Sequence, residues 1–153
     1  MSAATFPHGP LSDLRVLELG TLLAGPFCGQ LLGDLGAEVI KIENRDVGGD
    51  ASRSMGPYLL GEHDSQYFQT FNLNKKSCTL NLKNPLGRKA FRRLAVTADA
   101  VMNNLRGDQP ELLGLRYADL SDINPKIVCA HLSAYGRENE RYDWPGYDYL
   151  MQA

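Results

Sequence analysis

Hydrophobic residues near the start of the chain follow two different spacings. The short segment at residues 14–19, in which four of six residues are apolar, is typical of a strand. From residue 24 to residue 35 the apolar side chains recur every three or four positions, which predicts an amphipathic helix with Pro26 in its first turn and Gly36 after its end. Residues 38–43 are typical of a second strand, so this part of the chain predicts a β-α-β unit.

The same alternation continues along the rest of the chain. Residues 78–83 predict a third strand, and Asn84 followed by Pro85 supplies an N-cap and a first helical residue. The predicted buried face of that helix consists of Leu86, Ala90, Phe91 and Leu94. Further strands are predicted at residues 100–105 and 127–132, with short helices between them at 110–113 and 118–123. The predicted fold class is α/β, a Rossmann-like and mostly parallel sheet with helices on both faces.

Two segments depart from this rhythm. Residues 44–64 contain several glycines and a Gly-Pro pair, and an irregular segment of this length in a compact domain is usually functional. The last residues, 144–153, resemble the opening turns of a helix. We therefore expect residues 1–153 to form one domain whose fold is incomplete at its C-terminus.

Composition narrows the function classes. Sixteen basic and eighteen acidic residues give a net charge of −2, with no basic cluster that would favour nucleic acid or an acidic membrane surface. No apolar stretch approaches the roughly 20 residues of a membrane span, and residues 1–10 show no signal peptide. Cys28, Cys78 and Cys129 are widely spaced in apolar runs, which favours buried, reduced thiols and a cytoplasmic protein without a zinc site.

Cationic residues cluster where the predicted strands end. In parallel sheets ligands bind beyond the carboxyl ends of the strands, so these side chains make a phosphorylated ligand one interpretation and simple surface solvation the other. The residues concerned are Arg45, Arg53, Lys75, Lys76, Lys83 and Arg106. Glu43 lies where an NAD-binding acid would lie, but Gly20, Gly25 and Gly29 do not have the dinucleotide spacing. His131, inside a predicted strand, is interpreted as a packed residue and not as a catalytic base.

Asp148 is a candidate active-site acid, because it follows a turn and has aromatic neighbours on both sides. Burial among such residues would raise its carboxyl pKa, as in many functional acids and bases. The alternative is an aspartate in the first turn of a helix, stabilised there by the helix dipole. The sequence leaves both interpretations open.

A series of segments resembles the class III CoA-transferases, of the carnitine dehydratase and bile-acid-inducible protein F type. The segments occur in family order over nearly the whole chain, and together they are far more specific than any one of them. They are residues 11–19, 23–27, 32–43, Gly49-Asp50 with Arg53, 71–77, 80–83, 104–106, 113–115, 134–136 and 146–148. The family includes carnitine-CoA transferases, formyl-CoA transferases and α-methylacyl-CoA racemases.

The resemblance implies that residues 1–153 are the amino-terminal, CoA-binding domain of a longer protein. It also implies transfer of CoA from an acyl-CoA to a carboxylic acid through an aspartyl covalent intermediate. It places the nucleophilic aspartate beyond Ala153, so no catalytic nucleophile is expected within residues 1–153 and these residues alone are expected to be inactive. Racemases of the family carry a histidine base where this chain has Tyr147, which favours transferase over 2-methylacyl-CoA racemase. A non-catalytic CoA-binding fragment is the remaining alternative. The family also implies an interlocked homodimer for the full-length protein, and no metal.

By matching positions, the resemblance implies a set of residues that contact coenzyme A. They are Leu23, Ala24, Asn44, Arg45, Leu80, Asn81, Leu82, Lys83, Asn104, Leu105, Arg106 and Tyr147. The chain departs from the family at two points, since Leu112 replaces a common arginine and Gly107-Asp108 replaces the usual Pro-Gly. We therefore expect one nucleotide contact to be lost or to be supplied by Arg106.

Overall fold

The computed structural model describes residues 9–152, so the expectations for residues 1–8, including His8, and for Ala153 lie outside the described residues. The strands are β1 (Arg15–Glu18), β2 (Glu38–Glu43), β3 (Leu59–Gly61), β4 (Asp64–Ser65), β5 (Lys75–Thr79), β6 (Ala100–Asn103) and β7 (Val128–His131). The helices are α1 (Ala24–Asp34), α2 (Gln66–Phe71), α3 (Pro85–Ala95), α4 (Gln109–Leu113), α5 (Tyr117–Leu120) and α6 (Asp148–Gln152). Two 3-10 turns, Arg45–Val47 and Ala51–Ser54, follow β2.

Five strands form one parallel sheet in the order β5-β2-β1-β6-β7. The chain moves outward from β1 to β5 on one side and then returns to place β6 and β7 on the other. The neighbouring strands β1 and β6 therefore send their connections in opposite directions. Open α/β sheets bind ligands at such a reversal point. The predicted α/β class with a mostly parallel sheet is confirmed.

Hydrophobic cores lie on both faces of this sheet, because adjacent strand residues point to opposite sides. On one face Leu17 and Val101 are fully buried, and Phe91 of α3 packs against their cluster. On the other face Val16 and Val39 form a second cluster, flanked by partly buried residues of α1. The prediction of helices on both faces is thus confirmed.

The third strand of the sheet differs from the prediction. We expected residues 78–83, but β5 covers Lys75–Thr79 and residues 80–83 form the connection to α3. The polar residues at the start of β5 hide its strand character, since Lys75 turns its ammonium into a buried ionic cluster. The alternating apolar pattern of Leu80 and Leu82 reflects a loop whose side chains pack against the core.

The N-terminal turn of α3 also corrects the sequence analysis. The helix starts as predicted, with the Asn84 side chain accepting from the Leu86 N–H at 2.8 Å and Pro85 in the first position. Leu86, however, is 76% exposed and not buried. It precedes Phe91 by five residues, which places it about 140° around the helix axis from the buried face. Gly87 faces inward instead, and a Cβ there would lie 2.0 Å from the Asn81 carbonyl oxygen.

Other elements agree with the expectations in kind and differ in extent. The strands β6 and β7 end before residues 104 and 132, so Asn104 and its successors are loop residues. The segment 44–64 is irregular as expected, although it contains the antiparallel β3-β4 hairpin, and the sequence did not predict α2 after it. The helix expected near the C-terminus is present as α6.

Candidate coenzyme A site

A cavity of about 210 Å³ opens at the carboxyl ends of β1, β2 and β5. Its walls are mostly apolar, and a few polar side chains stand at its edge. The apolar residues are Leu19, Ile42, Val47, Leu80, Leu82, Leu105 and Leu113, and the polar ones include Asn44, Asn81, Lys83 and Gln109. We call this space the inner cavity. Apolar walls with a nearby ammonium group suit a flat, hydrophobic ring that carries a phosphate.

A second, more open cavity of about 750 Å³ adjoins it, and we call this the outer cavity. It lies between the loop after β1, the loop after β6 and the segment that leads into α6. Residues at its wall include Leu23, Ala24, Asn104, Leu105, Arg106, Tyr147 and Asp148. The two cavities lie side by side at the carboxyl edge of the sheet, since Thr21, Leu105 and Gln109 line both of them.

The loop that separates β1 from α1 contributes to both cavities and is held from two sides. Asn104 binds Thr21 reciprocally, since its Oδ1 accepts from the Thr21 N–H at 2.8 Å and its Nδ2 donates to the Thr21 carbonyl at 2.9 Å. On the other side Asp50 Oδ1 accepts from the Leu22 N–H at 3.1 Å. Leu22 has a φ of 62°, a conformation that costs energy for a leucine and that these bonds stabilise.

Close backbone contact explains the glycines of this loop better than a dinucleotide motif does. A Cβ on Gly25 would lie 2.7 Å from Gly20 Cα and 2.8 Å from Asn104 Oδ1. The end of β1 and the start of α1 can approach each other, and Asn104, only because both positions lack a side chain. The absence of the dinucleotide spacing in the sequence therefore agrees with a different role for these residues.

A cluster of buried charges lies beneath this loop, and the sequence analysis missed it as a unit. Lys41 Nζ lies 3.3 Å from Glu18 Oε1 and 2.9 Å from Asp50 Oδ2, and it donates to the Gly20 carbonyl at 2.8 Å. Lys75 Nζ binds Glu18 Oε2 at 2.9 Å. All four charged side chains are at most 2% exposed. The signal that could have revealed the cluster is the position of Lys41 between two isoleucines of β2.

Burial and pairing shift the ionisation of this cluster in opposite directions. Burial would raise the pKa of Asp50, but the Lys41 ammonium and the N–H groups of Ser52 and Leu22 outweigh it, so this pKa lies below its ordinary value. Burial lowers the pKa of Lys75, although the Glu18 carboxylate opposes that effect. Asp50 is therefore held as a carboxylate that anchors the loop after β1.

Glu43 has a structural role that excludes the NAD-binding one considered from the sequence. Its carboxylate accepts from Arg53 at 2.7 and 2.8 Å, from the Ser77 hydroxyl at 2.7 Å and from the Asp50 N–H at 3.0 Å. Burial would raise the pKa of Glu43, but these partners, Arg53 first, lower it. A carboxylate with both oxygens occupied in this way is not free to bind a ribose.

The residues implied by the resemblance mostly converge on the two cavities. Asn44 and Leu80, Asn81, Leu82 and Lys83 line the inner cavity, Leu23, Ala24, Asn104, Arg106 and Tyr147 line the outer one, and Leu105 lines both. Arg45 is the exception, because it faces a separate cavity of about 370 Å³ together with Arg53 and His63. Arg106 is partly engaged, since it donates to the Asp143 carbonyl at 3.1 Å.

Asp148 lies at the wall of the outer cavity and begins α6. It is exposed, so the burial expected among its aromatic neighbours is not found. Gln152 donates to its Oδ2 at 2.5 Å, one helical turn away. Asp148 thus lies both in the first turn of α6 and at the wall of the outer cavity. Its role as an active-site acid stays a prediction.

The histidine and the cysteines considered in the sequence analysis line neither of the two cavities. His131 ends β7, as expected for a strand residue, with its Nδ1 2.8 Å from Asn103 Nδ2. Burial lowers the pKa of His131, and the charges of Arg137 and Arg116 add to that effect. Within residues 9–152 the three cysteines are unpaired and half-buried, and no three or more histidine, cysteine, aspartate or glutamate side chains are grouped so that they could hold a metal ion. No helix in that range has the length and apolar character to span a membrane.

Comparison with known proteins identifies the family. Residues 11–153 match the sequence pattern that defines CoA-transferase family III. The chain belongs to this family. The resemblance inferred from the segments is thereby confirmed.

Relatives of this family III chain include two CoA-transferases. It is 40% identical over 148 residues to the succinate–glutarate CoA-transferase of Agrobacterium fabrum, which covers 94% of this chain and 37% of that protein. It is 39% identical over 144 residues to the human succinyl-CoA:glutarate CoA-transferase, covering 94% of this chain and 32% of that one.

The fold agrees with a solved structure of the same family. A CaiB/BaiF family protein from Brucella suis superimposes with a TM-score of 0.86 at 37% identity, over 95% of this chain and 39% of that chain. This family III chain therefore spans between 32% and 39% of the length of the three proteins compared.

Proposed function

We propose that this chain binds coenzyme A along the inner and outer cavities, as the CoA-binding part of a CoA-transferase. The observation that carries the proposal is the convergence of residues. Of the twelve positions that the resemblance implies, all but Arg45 line two adjoining cavities at the reversal point of the sheet. Residues spread over positions 23–147 thus come together at the edge where open parallel sheets bind ligands.

The chemistry of the cavities supports an acyl-CoA as the ligand. The inner cavity combines apolar walls with Lys83, which suits an adenine ring and a nearby phosphate. The outer cavity is wider and carries Arg106, Tyr147 and Asp148 at its wall. An extended ligand with a nucleotide at one end and a reactive thioester at the other matches this pair of spaces.

The reaction that we propose for the whole protein moves CoA from an acyl-CoA to a carboxylic acid. An aspartate carboxylate attacks the thioester carbon and releases the CoA thiolate, leaving a mixed anhydride. The thiolate then attacks the aspartyl carbonyl carbon, so that the first carboxylate leaves and an aspartyl-CoA thioester forms. The second carboxylate takes over the CoA by the reverse steps. The resemblance places this aspartate beyond Ala153.

Transfer is favoured over the two alternatives by the relatives. The proteins from Agrobacterium fabrum and human are both named as CoA-transferases acting between dicarboxylic acids, which supports a transferase and a carboxylate acceptor. A 2-methylacyl-CoA racemase would need a base where Tyr147 stands, and the pKa of a tyrosine is near ~10. A chain that only binds CoA would show the same ligand stabilisation without turnover.

Thermal unfolding with added ligand tests CoA binding. A ligand at 100 times its Kd stabilises a protein by about 2.7 kcal/mol, so CoA should raise the melting temperature while NAD at equal concentration should not. Lys83→Ala combined with Arg106→Ala should reduce the CoA shift, because both cations line the cavities.

A charge-matched control is available on α3. Lys89→Ala with Arg93→Ala removes one lysine and one arginine that are exposed and lie outside both cavities, so the CoA shift should be retained. A shift with NAD and none with CoA would refute the proposal.

A further inference from the structure

The two cavities share part of their lining, and we call this shared boundary the neck. Three residues line both cavities and so define it, namely Thr21, Leu105 and Gln109. Any ligand that extends from one cavity into the other must pass these three side chains. The resemblance implied Leu105 but neither Thr21 nor Gln109, and Gln109 is the first residue of α4.

The backbone N–H groups of the neck already have partners. Both the N–H and the carbonyl of Thr21 bind Asn104, and the Leu105 N–H donates to Asn103 Oδ1 at 3.3 Å. The Gln109 N–H donates to the Arg106 carbonyl at 3.0 Å. A ligand in the neck would therefore find no free backbone N–H. Among the side chains there, Leu105 is apolar, whereas Gln109 carries an amide oxygen that can accept a hydrogen bond.

The orientation of the Gln109 amide follows from its neighbour. Its Nε2 donates to Asp108 Oδ2 at 2.6 Å. Because a carboxylate accepts only from the nitrogen, the oxygen Oε1 is turned away from Asp108. Within residues 9–152 no donor is bonded to that oxygen, so it remains available as a hydrogen-bond acceptor in a half-buried position.

We propose that Gln109 contacts the ligand at the neck, where its Oε1 accepts an N–H from the amide-bearing pantetheine arm of CoA. The inference rests on the proposed function and adds a binding residue to it. The arm joins the nucleotide to the thioester, so it crosses the neck whichever end occupies which cavity. An amide N–H that passes an apolar wall such as Leu105 requires an acceptor, since an unpaired buried donor is costly.

Calorimetric titration tests this role with two ligands. CoA contains the pantetheine arm, whereas adenosine 3′,5′-bisphosphate contains only the nucleotide end. Gln109→Met keeps the length of the side chain and removes the acceptor. We expect it to weaken CoA binding about 3- to 10-fold, the effect of one neutral hydrogen bond, and to leave binding of the bisphosphate unchanged.

A matched control is Gln69→Met in α2. Gln69 also donates its Nε2 to an aspartate, at 3.0 and 2.9 Å from the Asp64 oxygens, but it lies in neither cavity. Its replacement should change the affinity for neither ligand. Circular dichroism and the melting temperature of Gln109→Met without ligand should match those of the parent protein, which excludes misfolding as the cause of weaker binding.

The outcomes separate the two proposals. No binding of CoA by the parent protein would overturn the proposed function and the role of Gln109 together. Tight CoA binding that is unchanged in Gln109→Met would overturn the role of Gln109 alone. Equal weakening of CoA and of the bisphosphate would also overturn it, because Gln109 would then contact the nucleotide and not the arm.

Discussion

Replacing Lys41 by methionine tests whether the buried charges beneath the loop after β1 hold the fold together. Methionine has a similar length and no charge. The change removes the partner that lies 2.9 Å from Asp50 Oδ2 and the donor to the Gly20 carbonyl. Glu18 keeps Lys75 at 2.9 Å, so Asp50 is the group left without a cation.

The expected cost follows from burial. Both Lys41 and Asp50 have side chains that are 1% exposed, and breaking such a pair by removing one partner typically costs about 3–5 kcal/mol. The total stability of a domain is only about 5–15 kcal/mol, so the loss should be plain in urea unfolding followed by circular dichroism. Replacing Asp50 by asparagine in the same chain should recover part of it, because no unpaired charge then remains.

The control replaces a lysine at the surface. Lys76 pairs with Glu38, but its side chain is 70% exposed, and Lys76→Met should cost only about 0–1 kcal/mol. Urea midpoints that coincide for the Lys41 and Lys76 variants would show that the buried cluster contributes little to stability. The account of how the loop after β1 is held would then be wrong.

Two further predictions concern the end of the sheet. Gly25→Ala would place a carbon 2.8 Å from Asn104 Oδ1. It should lower the free energy of unfolding in urea by about 1–3 kcal/mol and reduce the rise in melting temperature with CoA. Gly61→Ala, whose added carbon meets no atom within 4 Å, should change neither. The pKa of His131 is lower in the folded than in the unfolded protein. As the pH falls below about 6.5, the unfolded state therefore binds this proton before the folded state does, and the free energy of unfolding decreases. His131→Gln, which can keep a bond to Asn103, should flatten the difference in unfolding free energy between pH 7.5 and pH 5.5; an unchanged difference would assign that dependence to other groups.

The repeating pattern of the chain determined the type of fold. Consecutive apolar residues, such as Val39 and Ile40 of β2, place apolar side chains on both faces of a strand, which is typical of a parallel sheet, and the sequence shows this directly. The start of α3 was equally visible, since an Asn-Pro pair has a local capping role that needs no tertiary partner. The segments that resemble the family likewise pointed to residues that gather at the cavities, because the resemblance compares this chain with related proteins.

Only the tertiary structure decided which polar residues are buried and paired with one another. β5 begins at Lys75, whose strand position depends on Glu18, a partner 57 residues away that no local pattern reveals. Arg45 and Asn44 are adjacent in sequence, yet they face different cavities, because the 3-10 turn after β2 rotates one away from the other. The neck at Gln109 likewise exists only where two connections meet at the reversal of the sheet. Periodicity reports which residues are buried locally, but the pairing of distant charges and the closure of a cavity depend on strand order, which this sequence alone does not determine.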